Sequence, residues 1–235
     1  MINKILDLYK KHIEERQYFT KSRLPFYELT KKYLPPEKDA VVIDIGCGDY
    51  NRFDEGLDKK YKIYNLDKVE GIAINYPNTY HYIAPDRLPF DDNSVDFIHC
   101  SHLIEHLSLD NVYELLKEFD RVLKNNGAIV ISAPLFTRTF LEHPTHCKVY
   151  TPSFLSLCLV DRRGTGNENA DSEIISENFK VEEVVYRYSQ LATERIWYSK
   201  YFIIDLLIKI LLRFAYFLGF RKFNKDAYTM VLRKN

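Results

Sequence analysis

"VVIDIGCGDYNRFDEG", residues 41–56, carries an acid and two glycines at the end of an apolar run. Val41, Val42 and Ile43 form a β-branched stretch suited to a central parallel strand, and Asp44 stands where that strand reaches its carboxyl end. Gly46 and Gly48 can take backbone angles closed to other residues and have no Cβ. A small molecule can therefore lie against the main chain of Gly46, Cys47 and Gly48. If that molecule is a nucleoside, an acid should end the next strand to accept bonds from the ribose hydroxyls, and Asp67 does so, 19 residues after Gly48. A third strand end follows in "APDRLPFDDNSVDFIHCSHLIEHL", residues 84–107, where Asp86 can meet an exocyclic amine while Leu88 or its neighbours cover a flat base. The full G-x-G-x-x-G of a dinucleotide site is absent, since Asn51 holds its last position, and Asp49 sits where a pyrophosphate would meet the helix. An NAD-dependent oxidoreductase is thereby disfavoured.

The 235 residues are enough for one substantial core. Lys plus Arg and Asp plus Glu are both 33, so no net field draws in nucleic acid, which is not an expected partner. Cys47, Cys100, Cys147 and Cys158 show no CxxC spacing, and the charged start MINKILDLYKKHIEERQ holds no apolar stretch of signal-peptide length. These features point to a reduced, cytoplasmic protein, with a peripheral membrane association left open by a segment near the carboxyl terminus. Helical spacing over 2–19 and a second short helix over 25–33 precede an alternation of strands and helices. Strands are expected at 40–45, 61–66, 79–84, 95–100, 127–133 and 179–186, with the clearest helix at 109–123. This is the order of an open α/β sheet, whose ligands sit at the carboxyl ends of its strands.

Taken together, "VVIDIGCGDYNRF", Asp67, "DRLPFDDNSVDFIHCSHLIEHL" and "LKEFDRVLKNNGAIVISAP" resemble a class I S-adenosylmethionine-dependent methyltransferase over residues 38–155. The final "DAYTMVLRK" is similar to that family's last strand. The resemblance implies a Rossmann-like α/β fold: a seven-stranded, mostly parallel sheet with an antiparallel last strand, in a single domain with N-terminal helices at 1–34 and a helical insertion at 195–222. It implies S-adenosylmethionine as cofactor, with Asp44, Gly46 and Gly48 around the methionine portion, Asp67 on the ribose, and Asp86, Arg87 and Leu88 at the adenine. The chain departs from the pattern at Tyr50, where a third glycine is usual, and shows no evident helix between Asp67 and Tyr80. A non-catalytic nucleoside-binding relative would keep the same residues.

At the acceptor end, methyl transfer needs a base only when the nucleophile is a hydroxyl or a protonated amine. Five of the seven histidines fall between 99 and 146. His99 alternates into a strand and reads as structural. His102 and Glu105 follow the strand end, near the sulfonium by the resemblance, and His106 is expected four residues on along the same helical face. His146 is the second candidate base, in "PLFTRTFLEHPTHCKVYTPSFL" (134–155), whose H-x-x-x-(Y/F)-T-P pattern the resemblance places in a loop closing the acceptor cleft; Thr151 caps the next helix, with Pro152 at its first position. His143, His146 and Cys147 lack a clear fourth ligand for a closed zinc site, and no metal is assigned.

"YSKYFIIDLLIKILLRFAYFLGF", 198–220, is as apolar as a membrane span but is interrupted every four residues by Asp205, Lys209 and Arg213. That spacing sets the charges on one face of an amphipathic helix whose apolar side needs a partner. Packing within the protein, a homodimer, a lid over the acceptor and a peripheral membrane contact each answer that need. The acceptor expected from these features is a small molecule, a glycan or a lipid-linked group, methylated on O or N.

Overall fold

The computed structural model describes residues 24–48, 59–69, 78–160, 174–188, 199–218 and 225–235. The first strand, β1 (Val41–Ile45), lies at the centre of the sheet. Ile43 and Ile45 face one apolar layer and Val42 the other, so both faces are covered and the near-continuous apolar run is accounted for. On one side β1 pairs in parallel with β2 (Lys62–Asp67), which pairs with β3 (Thr79–His81). On the other it pairs with β4 (Val95–Ser101), followed by β5 (Leu123–Pro134). β7 (Lys225–Lys234) is antiparallel to β5, and β6 (Phe179–Tyr188) is antiparallel to β7. The full order is β3-β2-β1-β4-β5-β7-β6.

The chain leaves β1 toward one edge and returns at β4 to build toward the other. The crevice between the carboxyl ends of β1 and β4 is therefore the topological switch point, where open α/β sheets hold their ligands. Of the helices, α1 (Leu24–Tyr33) docks on β6 through Glu183, which accepts from Lys32 at 2.7 Å and Tyr33 at 2.9 Å. The best-defined helix is α2 (Leu109–Val122): Ser108 caps its first turn, and Val112, Leu115, Leu116, Phe119 and Val122 are all buried against the sheet. The short α3 (Arg138–Glu142) precedes α4 (Pro152–Leu159), where Thr151 accepts from the Phe154 N–H and Pro152 opens the helix as its spacing implies. Between β6 and β7 lies α5 (Phe202–Phe217).

Three expectations change. The strand expected over 79–84 stops at His81, and the chain turns at 83–86, where Asp86 donates its N–H to the Ile83 carbonyl at 2.8 Å. The strand expected to start at 127 starts at Leu123, with a register shift against Val95 and Phe97. No helical face joins His102 to His106: His102 has φ +55, and only Ile104–His106 forms a turn, of 3-10 type. The helix expected over 2–19, Tyr50, and the stretch in which no helix was found between Asp67 and Tyr80, apart from its ends, lie outside the described residues.

Candidate active site

At the end of β1, Asp44 is fully buried and its Oδ1 lies 2.6 Å from Nδ1 of His99, its register partner on β4. Its other carboxylate oxygen is buried without a hydrogen-bond partner among the described residues. Burying such a group unsatisfied costs about 1–3 kcal/mol, so the position suits a donor delivered by a ligand or a water. The backbone then turns through Gly46 and Gly48 at φ +71 and +65. A Cβ on Gly46 would come within 3.2 Å of Leu103 Cβ, whereas one on Gly48 would meet nothing within 4 Å among the described residues. Among those residues the turn is sealed behind Gly46 and open over Gly48. Cys47 is buried, its N–H directed at the Leu66 carbonyl with that of Gly46. Asp67 closes the turn by accepting from Gly48 N–H and Val69 N–H, both at 2.9 Å, and each oxygen keeps a further lone pair for a hydroxyl. The orphaned Asp44 oxygen, the open glycine turn and the accepting carboxylate fit the amino-acid and ribose ends of S-adenosylmethionine.

The segment after β3 is held from behind. Leu88 donates its N–H to Glu118 at 2.8 Å, while Arg121 donates to the carbonyls of Leu88 and Phe90 and to Asp92. Arg121 also pairs with Glu118 and keeps its carboxyl below the usual range. Leu88 is consequently part of the core, and Asp86 and Arg87 are the exposed groups at this strand end. A concavity of about 480 Å³ on this side is bounded by Val41, Tyr64, Arg87, Leu88, Phe90 and Ser94. It reaches the amino end of β1, and its lining includes none of Asp44, Gly46, Gly48 or Asp67.

Across the crevice, His102 leaves β4 with its N–H on the Ser132 carbonyl and its Nδ1 3.1 Å from Oε1 of Glu105. The Glu105 carboxylate is buried, its Oε2 without a hydrogen-bond partner among the described residues, while the His102 ring is 44% exposed. A buried acceptor thus fixes Nδ1 as the protonated nitrogen and turns Nε2 outward. His146 goes elsewhere. Its Nδ1 lies 3.2 Å from the Phe140 carbonyl, and its ring packs 4.2 Å from that of His143 and 4.9 Å from that of His106. Burial, then the neighbouring His143, lowers its pKa. Cys147 stays outside this group, its thiol directed at the carbonyls of His106 and Thr145. The loop is anchored by Tyr150, which donates to the Leu107 carbonyl, and by Tyr228, which donates to the Tyr150 carbonyl. Burial pushes the Tyr150 hydroxyl up to about 12.

Sequence spacing missed His99 as the partner of Asp44, because register between strands 55 residues apart has no local signature. It also gave no role to His106 or to Glu105 as an orienting group.

Residues 43–131 match a family model described as a methyltransferase domain. An uncharacterised protein of Methanocaldococcus jannaschii is 31% identical over 105 residues, which are 44% of this chain and 44% of that one. A probable methyltransferase of Arabidopsis thaliana is 31% identical over 121 residues, 46% of this chain and 20% of that one. The chain thus spans less than half the length of the curated relatives it matches. A solved S-adenosylmethionine-dependent methyltransferase from Archaeoglobus fulgidus aligns over 95% of this chain and 99% of its own, with a TM-score of 0.57 and 21% identity. With its strand order and its matched domain, the chain has the class I S-adenosylmethionine-dependent methyltransferase fold.

Proposed function

We propose that the protein is an S-adenosylmethionine-dependent methyltransferase acting on a hydroxyl of a small-molecule, glycan or lipid-linked acceptor. One observation carries the reading: the glycine turn with the unpartnered Asp44 oxygen and the His102–Glu105 pair flank the same switch point of the sheet. When bound, the cofactor supplies an electrophilic methyl group on a sulfonium, which leaves as a neutral thioether. Asp44 would hold the ammonium of the methionine portion, Asp67 would accept from the ribose hydroxyls, and Asp86 with Arg87 would border the base. His102 Nε2 takes the acceptor's proton as the carbon–oxygen bond forms, and Glu105 holds the imidazole in the tautomer that allows it. Of the two candidate bases His102 suits the task better, since the ring of His146 is turned into the histidine cluster.

α5 bears on the acceptor class. Asp205 is buried and paired with Lys209 at 2.7 Å, so the charges at 205 and 209 face inward. The apolar residues face outward: Ile203, Leu211 and Phe214 are 70%, 67% and 59% exposed. No helix among the described residues is long and apolar enough to cross a membrane. Lys200 precedes the helix and Arg221 and Lys222 follow it, which fits an anionic headgroup layer around an apolar face lying in the interface. β6 runs parallel to β5, so the connection carrying α5 leaves and re-enters the sheet at the edge that bears the glycine turn. A lipid-linked acceptor presented at a bilayer surface is the substrate these features favour.

The test is transfer of label from methyl-tritiated S-adenosylmethionine into separated lipid, glycan and small-metabolite fractions of the source cells. Label in the lipid fraction, reduced about 10²-fold or more in His102→Ala, is the expected outcome. Binding of S-adenosylhomocysteine with no label in any fraction would assign the chain to non-catalytic nucleoside binding.

A further inference from the structure

We propose that His106, His143 and His146 form a binding site for a divalent first-row transition cation of the zinc class. One ring nitrogen from each lies within 4.8 Å of the others. The three come from two separate pieces of chain: His106 closes the turn after β4, and His143 and His146 lie in the loop after α3. A backbone bond ties the two pieces together, from the Cys147 N–H to the Glu105 carbonyl at 2.7 Å, and within the loop the His146 N–H bonds to the His143 carbonyl at 3.3 Å.

The outer hydrogen bonds are those of metal-ligating imidazoles. His146 Nδ1 lies 3.2 Å from the Phe140 carbonyl, and His106 Nδ1 is 3.2 Å from the Thr145 carbonyl and 2.8 Å from its hydroxyl. A carbonyl can only accept, so both rings carry their proton on Nδ1 and keep the lone pair on Nε2. The Thr145 hydroxyl also reaches His143 Nδ1, at 3.1 Å, so a single threonine orients two rings. Beside the cluster Glu105 buries a carboxylate whose Oε2 has no hydrogen-bond partner among the described residues.

Three nitrogen donors favour zinc, cobalt, nickel or copper over magnesium or calcium, which take oxygen ligands. Three protein ligands with a fourth position open is the coordination of a reactive rather than a structural zinc site. Ligation requires rearrangement: nitrogens about 2.0 Å from one tetrahedral cation stand roughly 3.3 Å apart. The rings of His143 and His146 are also stacked, 17° from parallel, and cannot both point at one ion. His143 is exposed and free of the core, so it is the ring that turns edge-on. His146 then acts as a ligand and not as a base. This inference stands on the cluster and does not rest on the methyl-transfer reading.

The test is titration of metal-free protein, purified without a histidine tag, with Co²⁺ while visible d–d absorption is followed, then displacement with Zn²⁺. One equivalent of Co²⁺ is expected to bind, with affinity falling about 10-fold to 100-fold or more in His143→Ala and about 10-fold in Thr145→Val, while Cys147→Ala binds as the parent does. Zn²⁺ should raise the melting temperature of the parent but not of His143→Ala, whose metal-free melting matches the parent. Absence of saturable Co²⁺ or Zn²⁺ binding at submillimolar metal would overturn the proposal. So would binding that survives His143→Ala and disappears in Cys147→Ala.

Discussion

The two candidate bases, His102 and His146, end in opposite circumstances. His102 has a positive φ, a cost that a neighbouring strand holds in place through the Ser132 carbonyl. Its ring is held on one nitrogen by a buried carboxylate and is exposed on the other side. Under the proposed base role, replacement of His102 by alanine should depress methyl transfer about 10²-fold and leave nucleoside affinity unchanged, because that role involves the acceptor's proton and not the cofactor. Transfer and calorimetric binding measured on the same preparation check this, and equal losses in both would assign His102 to positioning the turn instead. Asp44, Gly46, Gly48 and Asp67 were legible in the sequence because each sits at a strand end, which an apolar run marks. The pairing of Asp44 with His99 and the gathering of His106 with His143 and His146 depend on distant chain segments meeting. No spacing records that.

At the scale of elements, α2 does more than cover the sheet. Glu118 and Arg121 grip the main chain at Leu88 and Phe90, so the helix sets the position of the segment proposed to border the base. Glu118→Ala removes two roles together and leaves the Leu88 N–H and the Arg121 guanidinium short of a partner. We expect a loss of about 2 kcal/mol in unfolding free energy and weaker binding of S-adenosylhomocysteine, although Glu118 does not face the ligand. Denaturant unfolding and calorimetry report the two effects. The hydrogen bond from Arg121 holds the Glu118 carboxyl below its ordinary 4.5 in the folded chain. Its stabilisation is therefore complete above that pH and is lost as pH falls below it, and Glu118→Gln should flatten the stability profile there. The amphipathic period located α2 to within one residue, and Thr151–Pro152 marked the start of α4. The turn at 104–106 was misread as helix because an i, i+4 spacing does not reveal that His102 leaves the helical region altogether.

For the molecule as a whole, the sequence showed that Asp205, Lys209 and Arg213 share a face but not which way that face points. The structure turns the ion pair inward and leaves an apolar surface on the outside, larger than scattered surface hydrophobics account for. If a bilayer covers it, the protein should float with vesicles containing phosphatidylglycerol and remain at the bottom with neutral phosphatidylcholine. The doubly substituted L211E/F214E, altered only at exposed positions, should not float with either. A dimer in light scattering, without flotation, would give the surface to a second copy instead. At the carboxyl edge of the same sheet, the glycine turn with Asp44 and Asp67 is proposed to accept a nucleoside carrying an amino acid. Calorimetric titration with S-adenosylhomocysteine, and separately with NAD, tests it most directly. Saturable one-to-one binding of S-adenosylhomocysteine, weakened in Asp67→Ala, with no heat from NAD, is the predicted result; saturable NAD binding with none of S-adenosylhomocysteine would contradict it.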